Sequence, residues 1–201
     1  MIVSTGLYYA AFLVGGGLLL GFFTRSWAAI PFAILAVFCL WFFRDPERTA
    51  PTGPGLAVSP ADGKVVLIRP EPDGRTRMAI FLNVFDVHVN RSPIAGQVKS
   101  VTYKAGKFLV ASEVAASVEN EQNTLVVEGD GTSLEFSQIA GLIARRIVCD
   151  KKPGDIVQRG ERIGLIKFGS RVDLLFGPEW TLAAKVGERV SAGETVIAKR
   201  K

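Results

Sequence analysis

The amino-acid sequence predicts a mainly β domain, with a compact sandwich or barrel-like fold, preceded by an α-helical hairpin in a membrane. The first observation is charge segregation, because Arg25 is the only charged side chain between residues 1 and 43. The second is a series of short β-branched and aromatic runs, separated by Gly-rich turns, in the rest of the chain. These features place a membrane anchor in residues 1–44 and a separate folded domain in residues 45–201.

The anchor consists of two uncharged apolar runs of 17 residues, 7–23 and 27–43. That length is at the lower limit for a helix that crosses the hydrocarbon core. Only residues 24–26 connect the runs, so both flanks are expected on the same side of the membrane. Two alternatives are a cleaved signal peptide, which needs a basic start that is absent here, and a pair of buried helices in a soluble protein.

Basic residues near the anchor indicate its orientation. Arg44 and Arg48 follow the second apolar run, and basic residues there favour the cytoplasmic side. We therefore expect the folded domain at the cytoplasmic face of the cell membrane. The net charge of residues 44–201 is +4 once Arg25 is subtracted from the total of +5. This modest balance favours anionic lipid head groups as partners and argues against nucleic acid.

Five runs within the folded domain have the composition of β-strands. They are residues 65–69, 78–89, 97–103, 124–129 and 133–140. Residues 45–57, which are rich in Pro, predict an irregular linker, and residues 105–118 predict a helical or irregular excursion. Cys39 and Cys149 form no CxxC motif or disulfide framework, and we expect no metal site.

A weak internal repeat occurs near the end of the chain. Residues 152–166 and 185–198 share the form K-x-G-x-x-V-x-x-G-x-x-[IV]. Two such hairpin turns are typical of the flattened β-sandwich of lipoyl and biotinyl carriers. Neither repeat has the exposed lysine of a carrier's attachment site, so the repeat predicts the architecture and not the carrier function.

Ser170 lies between these repeats, in a run where apolar and polar residues alternate. In a strand it would share the apolar face with Val172 and Leu174, and a serine there is usually a hydrogen-bonded core residue. The preceding Gly169 also makes the pair suitable for self-cleavage. The serine Oγ can attack the preceding carbonyl when the backbone is strained, and elimination and hydrolysis then leave a pyruvoyl group.

Self-cleavage requires a base, and His88 is the only histidine in the chain. The run 78–89 predicts one strand in which His88 shares a face with Leu82 and Asp86. Asp62, in the turn sequence SPADG, could orient the imidazole ring, and Asp86 is the rival for that role. A structural role is open for each of these residues, since Asp-Gly after Pro is an ordinary turn signal.

Several segments together resemble phosphatidylserine decarboxylase, in its short form. They are WFFRDPERTAP (41–51), SPADGKV (59–65), NVFDVHVNRSPIAGQV (83–98), ENEQN (119–123), QIAGLIARRIVC (138–149) and FGSR (168–171). FGSR alone is a weak signal. The whole set, in this order and spacing, is highly specific and covers nearly all of the chain after the apolar hairpin.

The resemblance implies a proenzyme that cuts itself between Gly169 and Ser170. Residues 1–169 would form the large chain, and residues 170–201 the small chain, which would begin with a covalent pyruvoyl group derived from Ser170. It also implies that Asp62, His88 and Ser170 cooperate in the cut. The mature enzyme would remove the carboxylate of phosphatidylserine and release phosphatidylethanolamine, with His88 as the candidate proton donor. Homo-oligomers are compatible with this assignment.

The chain departs from the family at its histidine. Longer members carry H-x-x-H-x-P, whereas this chain has HVNRSP with Arg91 at the second histidine position. An ungapped match makes His88 equivalent to the first histidine, and a small gap makes it the second, so its role in cleavage, decarboxylation or both stays open. Arg91, Arg145 and Arg146 are candidates for phosphate recognition, or for surface solubility and lipid attraction.

Two alternative functions remain at this level. One is a membrane-tethered β-sandwich adaptor that performs no chemistry. The other keeps the pyruvoyl group and changes the substrate to a soluble amino acid or to an archaeal ether lipid, archaetidylserine. The membrane hairpin argues against the soluble amino acid, and the sequence does not separate the two lipid types.

Overall fold

A computed structural model describes residues 3–24, 26–109, 119–141, 146–167 and 169–201 of the chain. The chain divides into two compact units, Met1–Glu47 and Arg48–Lys201. The first unit contains the helices α1 (Ser4–Phe23) and α2 (Ile30–Phe42), with a 3₁₀ turn at Ser26–Ala29. The strands of the second unit are β1 (Leu56–Val58), β2 (Gly63–Pro70), β3 (Thr76–Leu82), β4 (Val89–Arg91), β5 (Gly96–Lys104), β6 (Gln122–Gly129), β7 (Thr132–Ala140), β8 (Ile147–Cys149), β9 (Ile156–Val157), β10 (Arg162–Ile166), β11 (Ser170–Phe176), β12 (Trp180–Leu182), β13 (Arg189–Val190) and β14 (Val196–Arg200).

The helix α1 has the length and composition of a membrane-crossing segment. It spans 20 residues with a mean hydropathy of 1.7, and at 1.5 Å per residue it reaches about 30 Å. Large apolar side chains lie on its surface, including Phe12 and Phe22, which are 80% and 83% exposed. Such exposure is unfavourable in water and favourable in lipid. The helix α2 is shorter, and close approach between the helices depends on Gly17, where an added Cβ would lie 2.8 Å from Phe32 Cβ.

The second unit confirms the predicted mainly β fold. Its largest sheet has eight antiparallel strands in the order β13-β2-β3-β11-β7-β6-β5-β9, and two three-stranded sheets have the orders β1-β14-β12 and β4-β10-β8. The strand β11 lies inside the large sheet between β3 and β7. Apolar side chains from these strands, such as Ile80, Phe136 and Leu174, form a fully buried core.

The two C-terminal repeats fold alike, but neither forms the predicted hairpin, because the two strands of each repeat pair with other strands and not with each other. Each consists of a turn, a two-residue strand, a second turn and a five-residue strand, which gives β9 and β10 from one repeat and β13 and β14 from the other. The short strands close opposite edges of the large sheet, because β9 pairs with β5 and β13 pairs with β2. The repeats therefore occupy equivalent places at its two ends.

A second repeat, SPADG (59–63) and SPIAG (92–96), has the same offset of 33 positions. The backbone bonds around these segments repeat as well. Gly193 N donates to Ser59 O and Gly160 N donates to Ser92 O, both at 2.8 Å. The domain is therefore built from two similar halves related by an approximate two-fold axis between β7 and β11, with residue n equivalent to residue n + 33 in these segments.

Two predicted strands are interrupted in the structure. The run 78–89 is not one strand, because β3 ends at Leu82 and β4 begins at Val89. Asn83 and Asp86 close a turn between them, with Asn83 N donating to Asp86 Oδ2 at 2.8 Å, and short polar side chains that bond nearby backbone compete with strand pairing. The alternating run around Ser170, residues 165–176, is likewise divided, since β10 ends at Ile166 and β11 begins at Ser170. Most of the predicted excursion at 105–118 lies outside the described residues.

Candidate active site

Ser170 occupies the first position of β11, opposite Leu82 of β3 and Ala140 of β7. Ser170 is fully buried, and its Oγ has no hydrogen-bond partner among the described residues. The apolar face predicted for it is confirmed, since Val172 and Leu174 lie in the core. A buried hydroxyl without a partner destabilises a fold by about 1–3 kcal/mol. The ordinary reading of a hydrogen-bonded core serine therefore does not describe Ser170, and unsatisfied buried groups often have a chemical role.

Gly169 gives the chain an unusual backbone conformation immediately before Ser170. Its φ is +52°, in the left-handed region that L side chains rarely adopt. An added Cβ would meet no heavy atom within 4 Å, so the requirement for glycine is conformational and not spatial. The residue before it, Phe168, lies outside the described part of the chain.

His88 is buried just before β4, and its tautomer follows from one contact. Its Nδ1 lies 2.9 Å from the backbone carbonyl oxygen of Asp86. A carbonyl oxygen only accepts, so Nδ1 carries the hydrogen and Nε2 holds the lone pair of the neutral ring. The carbonyl of His88 accepts a hydrogen bond from Ile166 N at 3.2 Å. This bond places His88 beside the end of β10, four residues before Ser170.

The carboxylate of Asp86 has a different task from the one predicted for it. Its Oδ2 accepts Asn83 N at 2.8 Å, and its Oδ1 pairs with Arg189. The turn that these bonds close positions the Asp86 carbonyl against the ring of His88. The orienting contact is therefore made by the backbone of Asp86 and not by its side chain.

Asp62 uses both of its carboxylate oxygens in other contacts. Its Oδ1 accepts Ala192 N at 2.7 Å, and its Oδ2 pairs with Arg48 Nη2 at 2.8 Å. The side chains of Arg48 and Asp62 are only 9% and 14% exposed. The loop that carries Asp62 is nevertheless adjacent to β4, because Arg91 N donates to Pro60 O at 2.9 Å. The fold brings Asp62 and His88 to neighbouring segments, and Arg48 is a partner that sequence reasoning missed.

We expect Asp62→Asn to slow self-processing strongly, while Arg48→Gln leaves it largely intact. Both variants lose the ion pair, and we expect both to lower the free energy of unfolding by about 1–3 kcal/mol. If Asp62 is catalytic, self-processing needs its carboxylate itself and not only the ion pair that the carboxylate forms with Arg48. The measurement is the cut fraction on a denaturing gel, with chemical unfolding of each variant. Equal processing in both variants would make Asp62 purely structural.

A buried chain of side-chain amides connects the strands around this region. Gln138, which lies opposite Val172 in the sheet, donates to Asn90 Oδ1 at 2.9 Å. Asn123 Nδ2 donates to Gln138 Oε1 at 3.2 Å. Because β4 and β7 belong to different sheets, these bonds hold the segment after His88 against the segment beside Ser170. Polar residues within otherwise apolar strand runs were the signal that could have revealed them.

Asn120 secures the end of β7 where Ala140 pairs with Ser170. Its Oδ1 accepts Leu109 N at 2.9 Å, and its Nδ2 donates to Leu109 O at 2.9 Å and to Ala140 O at 2.7 Å. Asn120 is fully buried. Its segment, ENEQN, thus has a positioning role that the sequence alone did not reveal.

We expect Asn120→Ala to lower the free energy of unfolding by about 1–3 kcal/mol or more, because buried backbone groups at Leu109 and Ala140 lose their partners. Chemical unfolding in detergent measures this change. The control is Gln97→Ala, since the half-buried Gln97 makes only a long, solvent-exposed bond to backbone, from Nε2 to Gly154 O at 3.4 Å, and we expect a change within about 0.5 kcal/mol there. Equal losses in the two variants would contradict the assignment.

The opposite face of β11 is also buried and carries an ion-pair cluster. Arg171 Nε lies 2.5 Å from Asp173 Oδ1, and Arg77 Nη1 lies 3.1 Å from Asp173 Oδ2. Burial disfavours the charged form of Arg77, but the hydrogen bond to Glu71 and the charge of Asp173 raise its pKa overall. Buried charges are tolerated when paired in this way. Arg171 of the FGSR segment is thus a buried structural residue, which pairs with Asp173 on the face of β11 opposite Ser170.

The other residues singled out from the sequence lie outside this group. Arg91 is buried and donates from Nη1 to Gly160 O at 3.0 Å, which is a structural contact. Arg146 is exposed, and Arg145 lies outside the described residues. Burial raises the pKa of the Cys149 thiol, so little reactive thiolate is present at neutral pH.

Comparison with known proteins agrees with the resemblance of the motifs. Residues 35–198 match the phosphatidylserine decarboxylase family. A phosphatidylserine decarboxylase proenzyme from Solibacter usitatus is 60% identical over 199 residues, covering 99% of this chain and 97% of the relative. Proteins of the same name from Nitratidesulfovibrio vulgaris and Saccharopolyspora erythraea are 49% and 46% identical, covering 86% and 94% of this chain and 82% and 85% of the relatives. The chain belongs to the phosphatidylserine decarboxylase family, and it is a decarboxylase.

Proposed function

We propose that this chain is a proenzyme that cuts itself between Gly169 and Ser170 and then converts phosphatidylserine to phosphatidylethanolamine. The observation that carries the proposal is the buried Ser170 hydroxyl, which has no partner among the described residues and follows a glycine in the left-handed region. The relatives are named proenzymes, which supports processing.

The cut begins when Ser170 Oγ attacks the carbonyl carbon of Gly169. The peptide C–N bond breaks, an ester forms, and the nitrogen of Ser170 becomes a free amine. Removal of the Ser170 Cα proton then expels Gly169 as a carboxylate and leaves dehydroalanine. Water enters, ammonia leaves, and residues 170–201 begin with a pyruvoyl group. His88 is our candidate for the base, through the Nε2 lone pair that its contact with Asp86 defines.

The surroundings of Ser170 fit a keto group derived from it. Leu82 and Ala140 flank the position and are fully buried, so they exclude water from the reacting atoms. The pyruvoyl ketone supplies an electron sink for the pair released when the substrate's carboxylate leaves as CO₂. The imidazole of His88 would then return a proton to the former α-carbon, while its Nδ1–H stays on the Asp86 carbonyl.

The small chain would stay associated with the large chain after the cut. Residues 170–201 contain β11, which is paired on both sides with strands of the large chain. They also contain β13 and β14, which pair with β2 and β1. Release would expose these strand edges and the core between them, so we propose a stable complex of large and small chains.

The substrate is a membrane lipid in this proposal, and the domain is on the cytoplasmic side. The apolar helix α1 indicates membrane association. Arg44 lies at the end of α2, with its guanidinium 4.2 Å from the centre of the Trp41 ring, and basic residues at such a place favour the cytoplasmic side. Arg48 supports the orientation less, because its side chain is buried against Asp62.

The test is to purify the full chain in detergent and to supply phosphatidylserine in mixed micelles. We expect release of CO₂ with equimolar phosphatidylethanolamine, and loss of activity after treatment with a carbonyl reagent. Parallel reactions contain archaetidylserine or free serine at the same concentration. If only archaetidylserine is turned over, archaetidylserine and not phosphatidylserine is the substrate. Absence of any turnover in a cut, folded chain would contradict the proposal.

A further inference from the structure

A cavity of about 250 Å³ lies in the β domain, and its lining includes neither Ser170 nor His88. Its lining includes Gly55, Ala95, Asp130, Arg159, Trp180 and Arg200. None of these residues takes part in the proposed reaction.

The approximate two-fold axis relates this cavity to the candidate active site. With the offset of 33 positions, Gly55 is equivalent to His88, and Ala95 is equivalent to Asp62. Arg159 is equivalent to Ala192, whose backbone N–H bonds the Asp62 carboxylate. The cavity therefore repeats the place of the active site in the other half of the domain, with the candidate catalytic side chains replaced by Gly and Ala.

Two donors buried on this lining make no regular hydrogen bond with the described residues. One is Nε1 of Trp180, which is 7% exposed and lies near the Glu179 carboxylate, whose pKa is lowered by the Thr132 hydroxyl and, to a smaller extent, by Trp180. The other is Nε of Arg159, which has no hydrogen-bond partner among the described residues. Arg159 is held in place by its Nη1, which donates to Gly53 O at 3.0 Å and to Leu56 O at 3.1 Å. Buried donors without acceptors are unfavourable, and a ligand with acceptor oxygens would satisfy them.

The charges on the lining favour an anion. The guanidinium of Arg159 contacts backbone carbonyls, and that of Arg200 donates to the backbone carbonyl of Asp130. Neither lies within 4 Å of a carboxylate in the part of the chain that the structure describes. The nearby acids are Asp130, on the lining, and Glu179, whose carboxylate accepts the Thr132 hydroxyl at 2.7 Å and whose pKa is also lowered by the charge of Arg200. The guanidinium of Arg159 contacts only backbone carbonyls among the described residues, and such a group is suited to bidentate contacts with oxyanions.

We propose that this cavity is a non-catalytic site for a phosphate group. Its volume of about 250 Å³ is below the usual range of about 300–1,000 Å³ for drug-sized ligands, so it fits a head group and not a whole lipid. The phosphate can belong to a free phosphate compound or to a phospholipid head group, since the two present the same oxygens. The inference does not depend on the proposed self-cleavage, because Ser170→Ala leaves every lining residue unchanged.

The experiment uses the full Ser170→Ala chain in detergent micelles. Inorganic phosphate and glycerol 1-phosphate are titrated by calorimetry, since neither contains an amine that could react with a keto group. Binding to vesicles of phosphatidylcholine, with and without phosphatidylglycerol, is measured by flotation. The variants are Arg159→Gln with Arg200→Gln, and Trp180→Phe, which keeps an aromatic side chain but removes the donor. The control is Lys185→Gln, which removes an exposed cation at the other half of the domain.

We expect one binding site, and an affinity at least tenfold weaker in the arginine double variant, weaker in Trp180→Phe and unchanged in Lys185→Gln. This pattern with soluble phosphates identifies a free phosphate compound as a sufficient ligand. The same pattern with phosphatidylglycerol vesicles alone identifies a lipid head group. The inference is overturned if no probe binds saturably, or if the folded variants bind as well as the parent chain.

Discussion

Replacing Ser170 with Ala is expected to leave one intact chain of 21.7 kDa, whereas the parent chain separates into residues 1–169 and 170–201 under denaturing conditions. The change removes the nucleophile, and no other hydroxyl follows Gly169 directly. It also removes a buried group that has no partner among the described residues, so we expect no loss of stability. Denaturing mass spectrometry measures both products, and the small chain should also react with phenylhydrazine.

The matched control for this experiment is Ser137→Ala. Ser137 lies on β7, the strand that pairs with β11 in the same sheet, opposite Asp173. Its Oγ lies 2.7 Å from Thr124 Oγ1, so its hydroxyl is satisfied, and we expect normal processing of this variant. A parent chain that stays whole, or a Ser170→Ala chain that is still cut, would refute self-cleavage at this bond.

Replacing His88 with Gln is expected to slow self-processing by about 10²–10⁴-fold, the usual contribution of a positioned general base. His88 is the only imidazole in the chain, and its Nδ1 contact with Asp86 O directs the lone pair to Nε2. The fraction of cut chain is followed over time after synthesis in a cell-free system. Any cut protein is then assayed for decarboxylation, which separates the two roles that the sequence left open.

Asp86→Asn is the control for the His88 variant. The substitution preserves the backbone carbonyl that holds the ring, and an amide oxygen can still accept Asn83 N. It weakens the ion pair with Arg189, so a modest loss of stability is expected. Nearly normal processing would support orientation by the backbone. Loss of processing as severe as that of His88→Gln would show that the carboxylate itself is needed, and normal processing in both variants would remove His88 from the mechanism.

The position of Ser170 shows how far local patterns reach. Alternation of apolar and polar residues predicted that Ser170 shares a face with Val172 and Leu174, and the structure agrees. The same alternation failed at His88, where it predicted one strand over residues 78–89. Hydrophobic periodicity does not reveal a turn closed by the side chains of Asn83 and Asp86, because that turn depends on polar contacts to the backbone.

The contacts of Asp62 show what a motif leaves undecided. SPADG indicates a turn aspartate, but the partner on its carboxylate is Arg48, and Ala192 N, which comes from the end of the chain, bonds its other oxygen. Bonds between segments that are distant in the sequence depend on which strands are neighbours. The structural equivalence of the two halves is also a matter of which strands are neighbours, since the short sequence repeats alone do not show that their segments occupy equivalent places.

The sequence by itself determined the apolar N-terminal segment, the mainly β class, the Gly169-Ser170 pair and the family. These properties depend on composition, on periodicity or on the order of short motifs along the chain. Only the tertiary structure decided that Ser170 Oγ is buried without a described partner, that a backbone carbonyl sets the tautomer of His88 and that a cavity repeats the place of the active site. The first and third results require residues from separate strands to meet, and strand pairing is a property of the folded chain as a whole. The second depends on a turn that side-chain contacts of Asn83 and Asp86 close, which hydrophobic periodicity does not reveal.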